Sequence, residues 1–231
     1  MENFSHPYIY LRRDNKPRPN NYCFLDMLYK NSKGELHRED DRPAVCMPFN
    51  GLEWWVNGKL HREGGNPAIV KNNGQTQEWW ENGLRHRING PAYVDTALAF
   101  EEWWVNGKLH RVDGPAFKTS IEEAWFLDGK LHREDGPAVK TKLNDGEEWW
   151  YHGKRHRKNG PAEIRPGFKL YWENGKRHRL DGPARIFDGE EKFYVNDKLV
   201  SEEEFESLKL SYNMLEEKLF TDAAKLVFTF L

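Results

Sequence analysis

Histidine, arginine and aspartate in the order His-Arg-x-Asp are residue types that serve metal binding and proton transfer, and this 231-residue chain repeats them. His-Arg stands at His37, His61, His86, His110, His132, His156 and His178, in steps of 22 to 25 residues. A structural zinc site needs about four ligands converging within a few ångströms, whereas these histidines arrive singly, one step apart. Cys23 and Cys46 add two thiols, too few for a zinc site, and are expected to be buried and free. Catalysis usually needs one constellation in one place, so a residue that returns once per step is expected to hold the step together. The chain is therefore read as non-enzymatic, with no cofactor and no metal.

Pro-Ala follows each His-Arg, at Pro43, Pro67, Pro91, Pro115, Pro137, Pro161 and Pro183, so seven modules fill most of the chain. Asn-Gly between apolar stretches is a strong hairpin signal, because both central residues of a type I′ turn need positive φ. It stands at Asn57-Gly58, Asn82-Gly83, Asn106-Gly107 and Asn174-Gly175, with Asp128-Gly129 and His152-Gly153 as variants. A two-residue turn sets the register. Val56 then opposes Lys59, Trp55 opposes Leu60, Trp54 opposes His61 and Glu53 opposes Arg62. The period of two places Trp54 and His61 on one face, and Trp55/Leu60 with Glu53/Arg62 on the other. The same register sets Glu78 against Arg87, Glu102 against Arg111 and Glu148 against Arg157. In x-Asp-Gly-Pro-Ala, glycine and proline predict a kink, and alanine predicts close approach of strands.

The first aromatic of each pair meets a constant histidine, which predicts a packed ladder. The second, at Trp55, Trp80, Trp104, Phe126, Trp150 and Trp172, meets either leucine or Arg85, Arg155 and Arg177. Aromatics and arginines most often anchor protein interfaces, so these nine residues form the candidate partner-binding face, read as a wet one. Stacked bases of single-stranded nucleic acid are the competing use. With 35 basic and 37 acidic residues, and a carboxylate expected near each arginine, the phosphate-attracting surplus is missing. Nucleic acid is thus disfavoured, and the alternative kept is a module for a small ligand, a glycan or a lipid headgroup.

The run Trp-x-Asn-Gly-Lys-x-His, at Trp55 to His61, Trp104 to His110 and Trp172 to His178, resembles the MORN repeat over roughly residues 24 to 200. The longer His-Arg-x-Asp-Gly-Pro-Ala form is similar to MORN-like repeats of large DNA viruses and phages. The resemblance implies a mainly β, elongated array of stacked antiparallel hairpins that contacts proteins and, in some members, lipids. It also implies a viral, virion-associated setting. Seven two-stranded units at strand spacing would make a rod on the order of 65–70 Å. The departure falls on the second strand, so the family's groove does not carry over.

Residues 1–22 lack the repeat. Arg12, Arg13, Lys16 and Arg18 among prolines read as an extended basic arm, solvated or laid on an acidic partner or a membrane surface. Residues 23–200 form the array, whose first module has a longer loop at Asn31-Ser32-Lys33-Gly34. Residues 201–231 begin with Ser201 and Glu204, a capping box that starts a helix. Its stripe Phe205, Leu208, Tyr212, Leu215, Leu219, Ala223, Leu226 and Phe230 is expected to cover the end of the array or to dock on another chain. No charged-then-apolar leader opens the chain and no apolar run reaches membrane-span length, so an intracellular, non-secreted protein is expected.

Overall fold

A computed structural model describes residues 8–10, 26–48 and 51–229, with side chains placed at 27–48 and 51–219. The fold is mainly β, a tandem array of antiparallel hairpins followed by one C-terminal helix. It divides into two compact units, Met1–Lys130 and Leu131–Leu231.

In the first unit a meandering sheet takes its strands in chain order. Tyr8–Tyr10 pairs with Asp26–Leu28, which pairs with Val45–Met47 and then Gly51–Glu53. Ile69–Lys71, Thr76–Glu78, Tyr93–Asp95, Phe100–Glu102, Phe117–Lys118 and Glu122–Ala124 follow, each antiparallel to the one before. A strand thus forms inside the expected arm, while Arg12, Arg13, Lys16 and Arg18 lie outside the described residues. The second unit repeats the plan with Val139–Thr141, Gly146–Glu148, Glu163–Arg165, Phe168–Leu170, Arg185–Phe187, Glu190–Val195 and Lys198–Val200.

The Asn-Gly hairpins are a second set of short strands beside this sheet. Trp55–Val56 pairs with Lys59–Leu60, Trp80–Glu81 with Leu84–Arg85, Trp104–Val105 with Lys108–Leu109, Trp150–Tyr151 with Lys154–Arg155 and Trp172–Glu173 with Lys176–Arg177. Both central turn residues have positive φ, 48° at Asn57 and 74° at Gly58, as a type I′ turn demands. Within each unit, neighbouring hairpins exchange main-chain bonds: Gly83 N–H donates to Leu60 O at 2.8 Å, and Gly153 N–H to Leu131 O at 2.8 Å.

The chain passes between the two layers at the first aromatic. Trp54 N–H donates to Ala68 O at 2.8 Å, while Trp54 O accepts from His61 N–H at 3.1 Å. Trp79, Trp103, Trp149 and Tyr171 do the same with Ala92, Ala116, Ala162 and Ala184. This fork corrects the expected register beyond Trp54. Three of the four cross-strand pairs form, but Glu53 pairs with Ile69, and Arg62 turns away to Asp41 at 2.6 Å. The alanines of Pro-Ala sit at the fork with no exposed surface, because a larger side chain there would push the layers apart.

Cys46 is fully buried and disulfide-bonded, which corrects its expected free thiol; Cys23 lies outside the described residues. The helix α1, Glu202–Thr229, opens on the expected capping box, with Glu204 N–H donating to Ser201 Oγ and Ser201 N–H donating to Glu204 Oε2. It meets the array through Phe205, 1% exposed and 4.6 Å from the Phe193 ring. Leu208, Leu215 and Leu219 stay 43–69% exposed, so these residues of the stripe do not cover the array, while Tyr212 borders a groove beside Arg179. Among the described residues no helix is long and apolar enough to cross a membrane.

Candidate functional site

The second aromatics are neither exposed nor fully buried. Four of the strands that enter a hairpin bring a glutamate two residues before the second tryptophan, on the same side. The indole N–H of Trp55, Trp80, Trp104 and Trp150 donates to Glu53, Glu78, Glu102 and Glu148 at 2.8 to 3.0 Å. Phe126 has no N–H to place and follows Ala124. Trp172 follows Leu170, and its buried indole N–H has no acceptor among the described residues.

Arginine fills the space between aromatics of adjacent hairpins. Arg85 lies 5.2 Å from the Trp80 ring and 5.6 Å from Trp104, and its guanidinium bonds to Glu78 at 2.8 Å and Glu102 at 3.1 Å. Arg155 lies similarly between Trp150 and Trp172, bonded to Glu148 and Glu163. Arg177 stacks on Tyr194 at 4.3 Å and holds Asp197. Burial alone would raise the Glu148 carboxyl, yet hydrogen bonds from Arg155 and Trp150 and the charges of Arg155 and Arg165 hold it below the ordinary range. In each unit taken by itself the candidate residues are half-buried rather than on a wet face, with Arg85 between Trp80 and Trp104 in the first and Arg155 between Trp150 and Trp172 in the second.

A second arrangement, not foreseen from the sequence, explains His-Arg-x-Asp-Gly-Pro-Ala. The arginine lies over the first aromatic: Arg62 over Trp54, Arg87 over Trp79, Arg157 over Trp149 and Arg179 over Tyr171, all with Cζ 3.7 to 3.9 Å from the ring centroid. Its Nη1 donates to the proline carbonyl of its own Pro-Ala, from Arg38 to Pro43 through Arg179 to Pro183. The aspartate accepts from Nε: Asp113 from Arg111 at 3.1 Å, Asp135 from Arg133 at 2.9 Å and Asp181 from Arg179 at 2.7 Å. That hydrogen bond holds each of these carboxyls below its ordinary value. The glycine makes room, since a Cβ on Gly114 would stand 2.8 Å from Arg111 Cζ.

Histidine joins modules. Its Nδ1 accepts from the first turn residue of the next hairpin, as from Asn82 N–H to His61 at 3.1 Å and from His152 N–H to His132 at 3.2 Å, seven times in all. The expected Glu53/Arg62 type of pair is absent because these arginines serve the brace. Between successive braces run open grooves, one lined by Arg62, Trp79, His86 and Arg87, another by Arg133, Trp149, His156 and Arg157, a third by Arg157, Tyr171, Arg179 and Tyr212. Among the described residues no three His, Cys, Asp or Glu converge as a metal site would require. No known protein-family model matches the chain, and no curated protein matches it.

Proposed function

We propose that the chain is a non-enzymatic repeat scaffold that binds another protein. The observation that supports this is the use of the recurrent polar residues. Histidine is occupied by the next module's turn amide, arginine by ring, proline carbonyl and aspartate, and the recurrent glutamate by indole and guanidinium. The recurrent groups that could do chemistry are mostly partnered among the described residues, and what differs between modules lies outside, such as Ile88 and Val112 at 79% and 83% exposure. A repeat with constant joints and a variable skin suits recognition of an extended partner.

The partner surface comprises the outer edges of the Trp/Arg ladder and the grooves beside it. The kinship we propose is a MORN-like unit of the viral type, which makes another virion or host protein the natural partner and an intracellular site the natural place. Arginine stacked on rings along the grooves also suits an anionic small ligand or lipid headgroup, the second reading. Affinity capture from the native source tests the proposal, comparing the intact chain with a Trp80/Trp104/Trp150→Ser variant and a chain ending at Val200. The expected result is a set of proteins held by the intact chain and released from the folded triple variant. Partners that persist on the triple variant and vanish with the truncation would move the interaction to α1. No specific partner on any of the three chains would end the protein-scaffold reading.

A further inference from the structure

We infer that the groove at Arg157 binds a carboxylate side chain of an acidic partner segment, which deepens the protein-binding reading and rests on it. The brace supplies its own template. In Arg111, Arg133 and Arg179 one edge of the guanidinium is met by the aspartate two residues on, and Arg62 borrows Asp41. At Arg157 the corresponding residue is Asn159. The Arg157 Nη1 donates to Pro161 O at 3.1 Å, the guanidinium stands 3.8 Å from the Trp149 ring, and Arg157 has no ion pair among the described residues. The Nε and Nη2 edge that grips aspartate elsewhere is left without an anion. A carboxylate is known to fit, because it does so in three other modules of the same chain.

Two further observations favour this place. Lys158 is exposed beside it and Arg133 lines the same groove, against one lining carboxylate, Glu134. The buried indole N–H of Trp149 also has no acceptor among the described residues, whereas Trp54 and Trp79 donate theirs to Asp41 O and Gly65 O of the preceding loop. Arg87 shares the asparagine, as Asn89, and burial alone lowers its pKa. Its groove, however, is lined by Glu63 and Glu81, which repel a second carboxylate. Arg38 likewise has no ion pair among the described residues, its loop's Asp40 and Asp41 being taken by Arg42 and Arg62. A guanidinium edge matches a carboxylate in fork geometry, which a spherical anion does not exploit.

The probe is a fluorescently labelled hexaglutamate peptide, followed by anisotropy at low ionic strength on the full chain. Asn159→Asp supplies the internal carboxylate and is expected to weaken binding about two- to fivefold, the scale of one exposed ion pair. Its urea midpoint should stay at or above that of the parent, which separates site closure from unfolding. Asn89→Asp and the uncharged Asn159→Ser are expected to bind as the parent does. Unchanged binding by Asn159→Asp, equal loss in Asn89→Asp, or no binding by the parent would overturn the inference. Displacement by inorganic phosphate at equal anion concentration would overturn it in favour of a free-phosphate site. Partners captured from the native source that are indifferent to Asn159→Asp would remove this groove and leave the scaffold reading standing.

Discussion

Arg111 shows how one side chain couples three stretches of sequence: its guanidinium covers the Trp103 ring at 4.1 Å, reaches Pro115 O and Asp113, and presses against Gly114. Gly114→Ala is expected to cost about 1–3 kcal/mol by displacing that guanidinium, the penalty of overpacking. Paired with Arg111→Ala in a double-mutant cycle, the two losses should be less than additive, because the clash exists only while arginine is present. Additive urea midpoints would refute the coupling. His132 carries a pH dependence, since an Nδ1 that accepts from the His152 amide cannot also hold a proton. At His132, burial and then the neighbouring His152 push the imidazole below its ordinary 6.5. Its folded value is depressed, so the stability it contributes is present above 6.5 and is lost as pH falls through the folded value below that. The urea midpoint of the parent should therefore drop between pH 7.5 and 5.5 by more than that of His132→Asn, whose carboxamide oxygen can accept at any pH. Parallel curves for the two would sink this assignment.

At the scale of the elements, the two aromatics of a pair do different work. Trp79 is 7% exposed at the fork, and Trp80 stands half-buried in the ladder. Trp79→Ala is expected to cost about 3–5 kcal/mol and Trp80→Ala clearly less, read as urea midpoints; the reverse order would mean that the ladder, not the fork, holds the fold. Phe205→Ala should detach α1 while leaving the array intact, seen as lost far-UV helix signal with unchanged tryptophan fluorescence. A global loss of structure would show that α1 is integral to the sheet. Much of this was legible beforehand. Asn57-Gly58 could only be a tight turn, and the turn set three cross-strand pairs correctly. The fourth failed because Ala68, from beyond the kink, takes the Trp54 amide, a long-range choice that local register cannot reveal. The second aromatics read from the sequence as a wet face, but they stand half-buried. The clue lay in glutamate standing two residues before Trp55, Trp80, Trp104 and Trp150, and in alanine standing there before Phe126. The brace was hidden because His-Arg and Pro-Ala were read as separate signals, whereas the guanidinium spans both.

For the whole molecule, module joints that repeat the same bonds imply that modules are exchangeable. Glu78 and Glu102 occupy equivalent places, each ending a sheet strand before a paired tryptophan. Removing residues 79–102 puts Glu78 in the place of Glu102, directly before Trp103, and should leave a folded, less stable protein, since stability in such arrays is roughly a sum over neighbours. A chain that no longer unfolds cooperatively on heating, or that aggregates on purification, would contradict this. The histidine joint also has a direction. Each imidazole waits for an amide that lies about twenty residues later in the chain, and the final hairpin, which closes on His178 through Asn196 N–H, carries no histidine of its own. During synthesis from the N-terminus, every newly emerged module is left with one unfilled acceptor until its successor leaves the ribosome, so the polymer grows with a single live end. The residue order Asn196-Asp197-Lys198-Leu199 without His-Arg is then a stop signal written in hydrogen-bonding capacity: it satisfies the last acceptor and offers no new one.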